Sequence, residues 1–169
     1  MTLGDSPTPR AGTAGFALSL LTWSLFLALQ RSLPIPTLQL SPGWRWGMTL
    51  LFATDTLATI VWSLRVLLAA QRDQRLASTG PYAVVRHPIY SALLWGGTAA
   101  VAFAFQAWLV LLAALPLHLI WIRLALMEEQ WLIAFFGEDY QRYAARTGRF
   151  LPRRSQFTTP PGDSPEISG

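Results

Sequence analysis

The chain has no cysteine and no lysine, and only 13% of its 169 residues are charged. The first absence excludes disulfides, thiolate metal sites and a cysteine nucleophile. The second leaves arginine as the source of all 13 basic side chains, for which nothing in the physics of the chain gives a reason. The third is the most informative. Soluble domains carry roughly 25% charged residues. A chain with about half that share, 52% hydrophobic content and a mean hydropathy of +0.34 is suited to lipid. Runs of like charge are missing too, so the net charge of +4 does not point to nucleic acid. The arginines instead flank apolar stretches, and the eight tryptophans suit a boundary between lipid and water.

Residues 1–12, with Asp5, Pro7 and Pro9, have neither the basic start nor the cleavage site of a signal peptide and read as a disordered tail. Ala11 to Gln30 carries no charge. Its length is close to the roughly 20 residues that cross a bilayer, which predicts a span over 13–30. Pro34, Pro36 and Pro42 predict a loop as far as Arg45, with Trp44 and Trp46 at the aromatic belt. A second span, 47–70, holds Asp55 near its middle. An acid there costs roughly 2.5–3.5 kcal/mol on insertion scales, so Asp55 is expected to face protein or a water-filled cavity.

Ile89 to Ile122 holds no charged residue and is too long for one crossing of roughly 30 Å. It predicts a helical hairpin turning near Phe105-Gln106-Ala107, with spans over 88–105 and 107–126. Gly96 and Gly97 are small enough for close helix contact. Pro116 and His118 interrupt the second arm, and His118 reads as meeting a local hydrogen bond. Residues 153–169, rich in Pro, Ser, Thr and Gly, read as a second disordered tail, which leaves 13–152 as the membrane domain. The fold expected is an all-α integral membrane protein with about four transmembrane helices and a helical cytoplasmic segment after them. Three arginines between Gln71 and His87 and six after Ile122 place the second loop and both termini in the cytoplasm, with a bacterial inner membrane as the setting.

The chain is organised around Gly80-Pro81-Tyr82-Ala83-Val84-Val85-Arg86-His87-Pro88-Ile89-Tyr90. Proline is tolerated at a first helical position, so Arg86 and His87 should lie at the N-terminal mouth of the third span. The unpaired N–H groups and positive dipole end there suit a carboxylate. An arginine among lipid headgroups beside a structural histidine is the plainer alternative. Beyond the hairpin come Glu128-Glu129, Tyr140 with Tyr143, and Arg142 with Arg146, the last two pairs spaced for one helical face. An amphipathic helix on an anionic leaflet would account for that segment as well. In the four-span topology the two clusters flank one hairpin and meet on one side of the membrane. A site of that composition suits a zwitterionic ligand and an apolar partner arriving from lipid. A metal centre is poorly supported, because His87 and His118 should sit at different depths.

Gly80-Pro81-Tyr82, Arg86-His87-Pro88-x-Tyr90, Glu128-Glu129-x-x-Leu132 and Phe136-Gly137-x-x-Tyr140-x-x-Tyr143, followed by Arg149 and Pro152, together resemble the isoprenylcysteine carboxyl methyltransferase family, whose relatives include phospholipid N-methyltransferases. The resemblance covers about half the chain, roughly from Arg75 to Pro152. It implies an integral-membrane enzyme using S-adenosylmethionine in a pocket closed by the C-terminal segment. His87, Tyr90 and Glu129, with Arg86, Tyr82 and Glu128 beside them, are then cofactor-contacting. Glu129 would meet the cofactor's ammonium, and Arg86 with the helix mouth its carboxylate. Arg149, Tyr140 and Tyr143 are the expected catalytic group, closing the pocket near the reacting centre. The acceptor is a lipophilic or lipid-modified molecule whose methylated group (carboxylate, amine or thiol) the sequence leaves open. A small transporter or assembly subunit is the competing class, favoured by Asp55.

Overall fold

The computed structural model describes residues 8–153, which form helices and connecting turns with no strand among them. The first helix, α1 (Thr8–Ser32), begins inside the stretch read as a tail. Pro9 stands in its first turn, where a missing N–H is harmless, and an alanine- and leucine-rich run follows. The rest of both expected tails lies outside the described residues. Helix α2 (Pro42–Arg72) also starts earlier than expected: Pro42 opens the helix instead of breaking it, and Trp44 and Trp46 occupy its first turns. At ~1.5 Å per residue its 31 residues exceed the hydrocarbon thickness of roughly 30 Å, so the helix projects from the bilayer.

A short helix, α3 (Pro81–Val84), follows Gly80, whose φ of 58° is open to glycine. The third crossing is a composite rod of α4 (Pro88–Ser91), a π-helical turn (Ala92–Gly97) and α5 (Thr98–Phe105). Left-handed Gln106 ends it at the expected turn. The return arm is α6 (Leu109–Leu112) and α7 (Ala114–Phe136); Pro116, in the first turn of α7, coincides with the break between them. Helix α7 runs unbroken to Phe136, so Glu128 and Glu129 lie within a helix and not beyond its end. Gly137, at φ 57°, turns the chain into α8 (Glu138–Arg146).

Four helical segments are long and apolar enough to cross a membrane: Gly12–Ser32, Pro42–Arg72, Pro88–Phe105 and Leu109–Phe136. Four crossings return the described ends to one side. The core is a stripe on α6 and α7, where Val110, Ala113, Leu117, Trp121 and Ala125 are fully buried at three- and four-residue spacing. The next position of that stripe is Glu128. Small residues let the rods close on it, as expected of Gly96 and Gly97. Gly96 faces Thr56 and Phe52 of α2, Gly97 faces the Trp23 ring of α1, and Gly15 faces the Trp121 ring. Trp23 Nε1 donates to Thr98 Oγ1 at 3.0 Å across the bundle. Leucines such as Leu21, Leu57, Leu115 and Leu119 are exposed on the outside, where lipid is their solvent. One expectation fails here: Asp55 is exposed on the outer surface of α2, because the inward positions of that helix are Thr56, Ser63 and Ala70.

Candidate active site

At the end of the bundle that holds both described termini, three segments distant in sequence converge. The rod carries His87 at its cap and Tyr90 one turn in. The inward stripe of α7 carries Glu128 and Glu129. The turn after α8 carries Arg149 and Phe150. His87 is buried, with Nε2 3.1 Å from Glu129 Oε1 and Nδ1 3.6 Å from Glu128 Oε2. A neutral imidazole has one N–H and could serve only one of these carboxylates, whereas the imidazolium serves both. Burial opposes that charge, but hydrogen bonding to the two glutamates holds the His87 pKa above its ordinary value. Tyr90 donates to Glu128 Oε2 at 2.7 Å and lies between the His87 ring, 5.2 Å away, and the Trp121 ring, 4.3 Å away.

Arg149 grips Glu129 with a two-pronged bond, Nε to Oε1 at 2.9 Å and Nη2 to Oε2 at 2.7 Å. That bond raises the guanidinium pKa further and keeps it charged. The segment carrying it is tied down by its backbone. Arg86 N–H donates to Gly148 O at 2.8 Å, His87 N–H to Arg149 O at 3.2 Å, and Ser91 Oγ to Phe150 O at 2.9 Å. A Cβ on Gly148 would collide with the Leu151 carbonyl, so only glycine fits the turn. The backbone N–H groups of Arg86 and His87, just before the helix mouth, are therefore taken by the chain itself.

Arg86 and Tyr140 form the wall between two cavities. One, a narrow cleft of about 50 Å³, lies between the end of α2 and Tyr82, Trp131, Phe136 and Tyr143 and is largely apolar. The other, about 550 Å³, opens outward past Glu129, Thr147 and Arg149. The second volume is in the range of small-molecule sites. Arg86 Nε is 3.6 Å from Glu129 Oε1 but makes no hydrogen bond, and the buried Tyr140 hydroxyl also has no partner among the described residues. Two buried donors left unused beside two cavities are the arrangement a bound acceptor would complete. Burial above all pushes the Tyr82, Tyr140 and Tyr143 phenols well above the usual range, so all three are neutral. Tyr143 donates to Tyr82 O at 2.7 Å, pinning α8 to α3.

All nine residues singled out in the sequence thus lie in or beside one cluster. Arg149, expected near a reacting centre, has its fork on Glu129. Sequence reasoning passed over Phe150, which packs near both His87 and His118, and Trp121, which stacks on Tyr90. Trp121 stands seven residues before Glu128, a spacing that could have placed both on one helical face.

Residues 47–139 match the phospholipid methyltransferase family, from the first turns of α2 to the start of α8. The nickel-cobalt-cadmium resistance protein NccN of Alcaligenes xylosoxydans xylosoxydans is 31% identical over 104 residues, covering 60% of this chain and 48% of that protein. The cobalt-zinc-cadmium resistance protein CzcN of Cupriavidus metallidurans is 29% identical over 90 residues, covering 53% and 41%. Protein-S-isoprenylcysteine O-methyltransferase B of Arabidopsis thaliana is 30% identical over 97 residues, covering 52% and 44%. The chain spans somewhat under half the length of these relatives. No solved structure matches it.

Proposed function

Because the chain belongs to the phospholipid methyltransferase family, we propose that it is a membrane methyltransferase that binds S-adenosylmethionine at the His87–Glu129–Arg149 cluster and methylates a lipophilic acceptor. The observation that carries this reading is the pair of unused donors, Arg86 Nε and Tyr140 Oη, beside a buried carboxylate and two cavities. The amino-acid end of such a cofactor is zwitterionic, and the residues present fit it. Arg86 and Tyr140 would hold its carboxylate. Glu129 accepts three hydrogen bonds, two from Arg149 and one from His87, so a carboxylate with about four acceptor sites keeps one for the ammonium. The tyrosine faces along the apolar cleft suit stacking of an aromatic ring.

The cofactor supplies an already activated methyl on a positive sulfonium, so no general base is demanded of the protein. The residues of this chain contribute orientation, exclusion of water and a matched field. Glu128 and Glu129 set negative charge beside the place a cation would occupy. Arg149 acts through Glu129 as a positioning residue, holding both carboxylate oxygens in one plane. The Thr147–Phe150 turn covers the cluster from the water side, Thr147 and Phe150 themselves being buried. Tyr140 and Tyr143 shape the wall against which an acceptor arriving from lipid would rest. The two metal-resistance names among the relatives belong to those proteins and add no step here.

Calorimetry with S-adenosylmethionine on the purified chain, followed by transfer of labelled methyl to lipophilic carboxylates, amines and thiols, tests the proposal. Saturable binding with transfer to one acceptor class is the expected result. Absence of binding across the accessible concentration range would remove the reading.

A further inference from the structure

Asp55 belongs to no part of the cluster above. It lies near the middle of α2, on the outer surface, in an open groove between α2 and the composite rod. Thr59, Trp62, Trp95 and Gly96 line the same groove. Its carboxylate has no partner among the described residues, and neither does the indole N–H of Trp95, which is 43% exposed. The two groups are at one depth, because Gly96 packs against Thr56, and Thr56 Oγ1 reaches Ala92 O at 3.5 Å. An acid in mid-span with no partner is costly, and such residues face a partner as a rule. A lipid headgroup does not supply one, since headgroups lie at the membrane surface.

We propose that this groove is the interface of a symmetric homodimer, in which Asp55 of each copy accepts a hydrogen bond from the Trp95 indole of the other. A two-fold axis along the membrane normal keeps every residue at its own depth, so an acceptor can meet only groups of its own level. This chain places an unused acceptor and an unused donor at one level in one groove. An uninterrupted apolar face would associate through shape alone. The acid here adds a register: slipping one copy by a turn separates donor from acceptor and returns Asp55 to hydrocarbon.

The absence of cysteine makes the test direct. The full chain carrying Ser78→Cys in an exposed loop is labelled with donor and acceptor dyes and reconstituted in vesicles over a range of protein-to-lipid ratios. Energy transfer should rise to a plateau. Asp55→Leu and Trp95→Phe should each shift the midpoint by about tenfold toward higher protein, and Asp55→Asn, which keeps an acceptor, by less than about threefold. The double variant Asp55→Leu/Trp95→Phe should shift it no further than either alone, since the same two symmetry-related bonds are lost in each case. Thr59→Trp, which fills the groove and leaves both partners intact, should also weaken association and guards against a variant that fails to fold. A wild-type chain that stays monomeric throughout, as it would if a different transmembrane protein covered the groove, overturns the proposal. So does a dimer indifferent to Asp55→Leu, or shifts that add in the double variant.

Discussion

At the end of the bundle where Gln106 turns the chain, Gln30 donates to the carbonyls of Ile35 and Pro36 and accepts from the Leu109 N–H. There Trp108 donates to Pro36 O, Arg45 grips Ala104 O, and Leu38 N–H meets Gln106 O. Nearly every acceptor at that end is a backbone carbonyl, and the groups close on one another. At the opposite end the contacts run between side chains, most carry charge, and they leave Arg86 Nε and Tyr140 Oη without partners. The first network is a latch, since, Arg45 apart, it uses neutral groups to satisfy a loop that would otherwise expose polar backbone to lipid. The second holds ionised groups in place with donors to spare. Polarity is common to both ends; unused, charged and cavity-facing polarity is confined to one.

The sharpest way to break this contrast is at Glu129. Glu129→Gln keeps the shape but removes the charge that Arg149, His87 and Arg86 surround. A charge-assisted hydrogen bond is worth roughly 1.5–3 kcal/mol, so affinity for S-adenosylmethionine should fall about ten- to a hundredfold. His87→Ala should weaken binding as well. The double variant should lose less than the sum, because the two groups hold one ligand and each other. Calorimetry on the four proteins measures this, and unchanged affinity in both single variants would reduce the charged end to a second latch.

The contrast also shows what the sequence could carry. Proximity of Arg86-His87 to Glu128-Glu129 followed from counting spans and arginines, because topology converts a separation of some forty residues into one membrane face. Gln106 was legible as a turn between uncharged arms. The facing of α2 was not. In a helix apolar on every side, the 3.6-residue period has little contrast to report. The inward positions Thr56, Ser63 and Ala70 stand out by small size and not by greater hydropathy, and Asp55 was assigned inward on its charge alone. Prolines misled in a similar way. Pro42 looks like a helix breaker by composition, and only its place in the first turn of α2 makes it compatible with a helix. The grip of Arg149 on Glu129 was out of reach, since it depends on the turn at Gly148 bringing the chain back across α7.

A smaller effect is expected at the latch. Gln30→Leu removes one acceptor and one donor from a buried position and takes their side-chain partner from the Leu109 N–H and the Ile35 carbonyl. Lost hydrogen bonds of this kind cost about 1–2 kcal/mol. Thermal unfolding in detergent should register that loss, while affinity for S-adenosylmethionine stays within about threefold of wild type, a margin of well under 1 kcal/mol. A variant that loses both together would show that the two ends are coupled through the bundle and would erase the distinction between latch and site.

The smallest effect concerns the proton on His87. Its pKa in the folded chain is raised above its unfolded value, since hydrogen bonds to Glu128 and Glu129 outweigh the opposing burial. A group of this sign stabilises the fold fully below its unfolded pKa of about 6.5, and the contribution fades as pH rises through the folded value. The wild-type chain should therefore lose thermal stability on going from about pH 6 to alkaline conditions. His87→Gln, which hydrogen-bonds but does not titrate, should lose less over the same interval. The difference between the two curves isolates this residue from the rest of the chain. The latch has no group that titrates in that interval, so Gln30→Leu should lower stability equally at every pH. Parallel curves for wild type and His87→Gln would mean that the imidazole is already neutral between its two carboxylates, and that the charged end of the bundle holds one cation fewer than its geometry indicates.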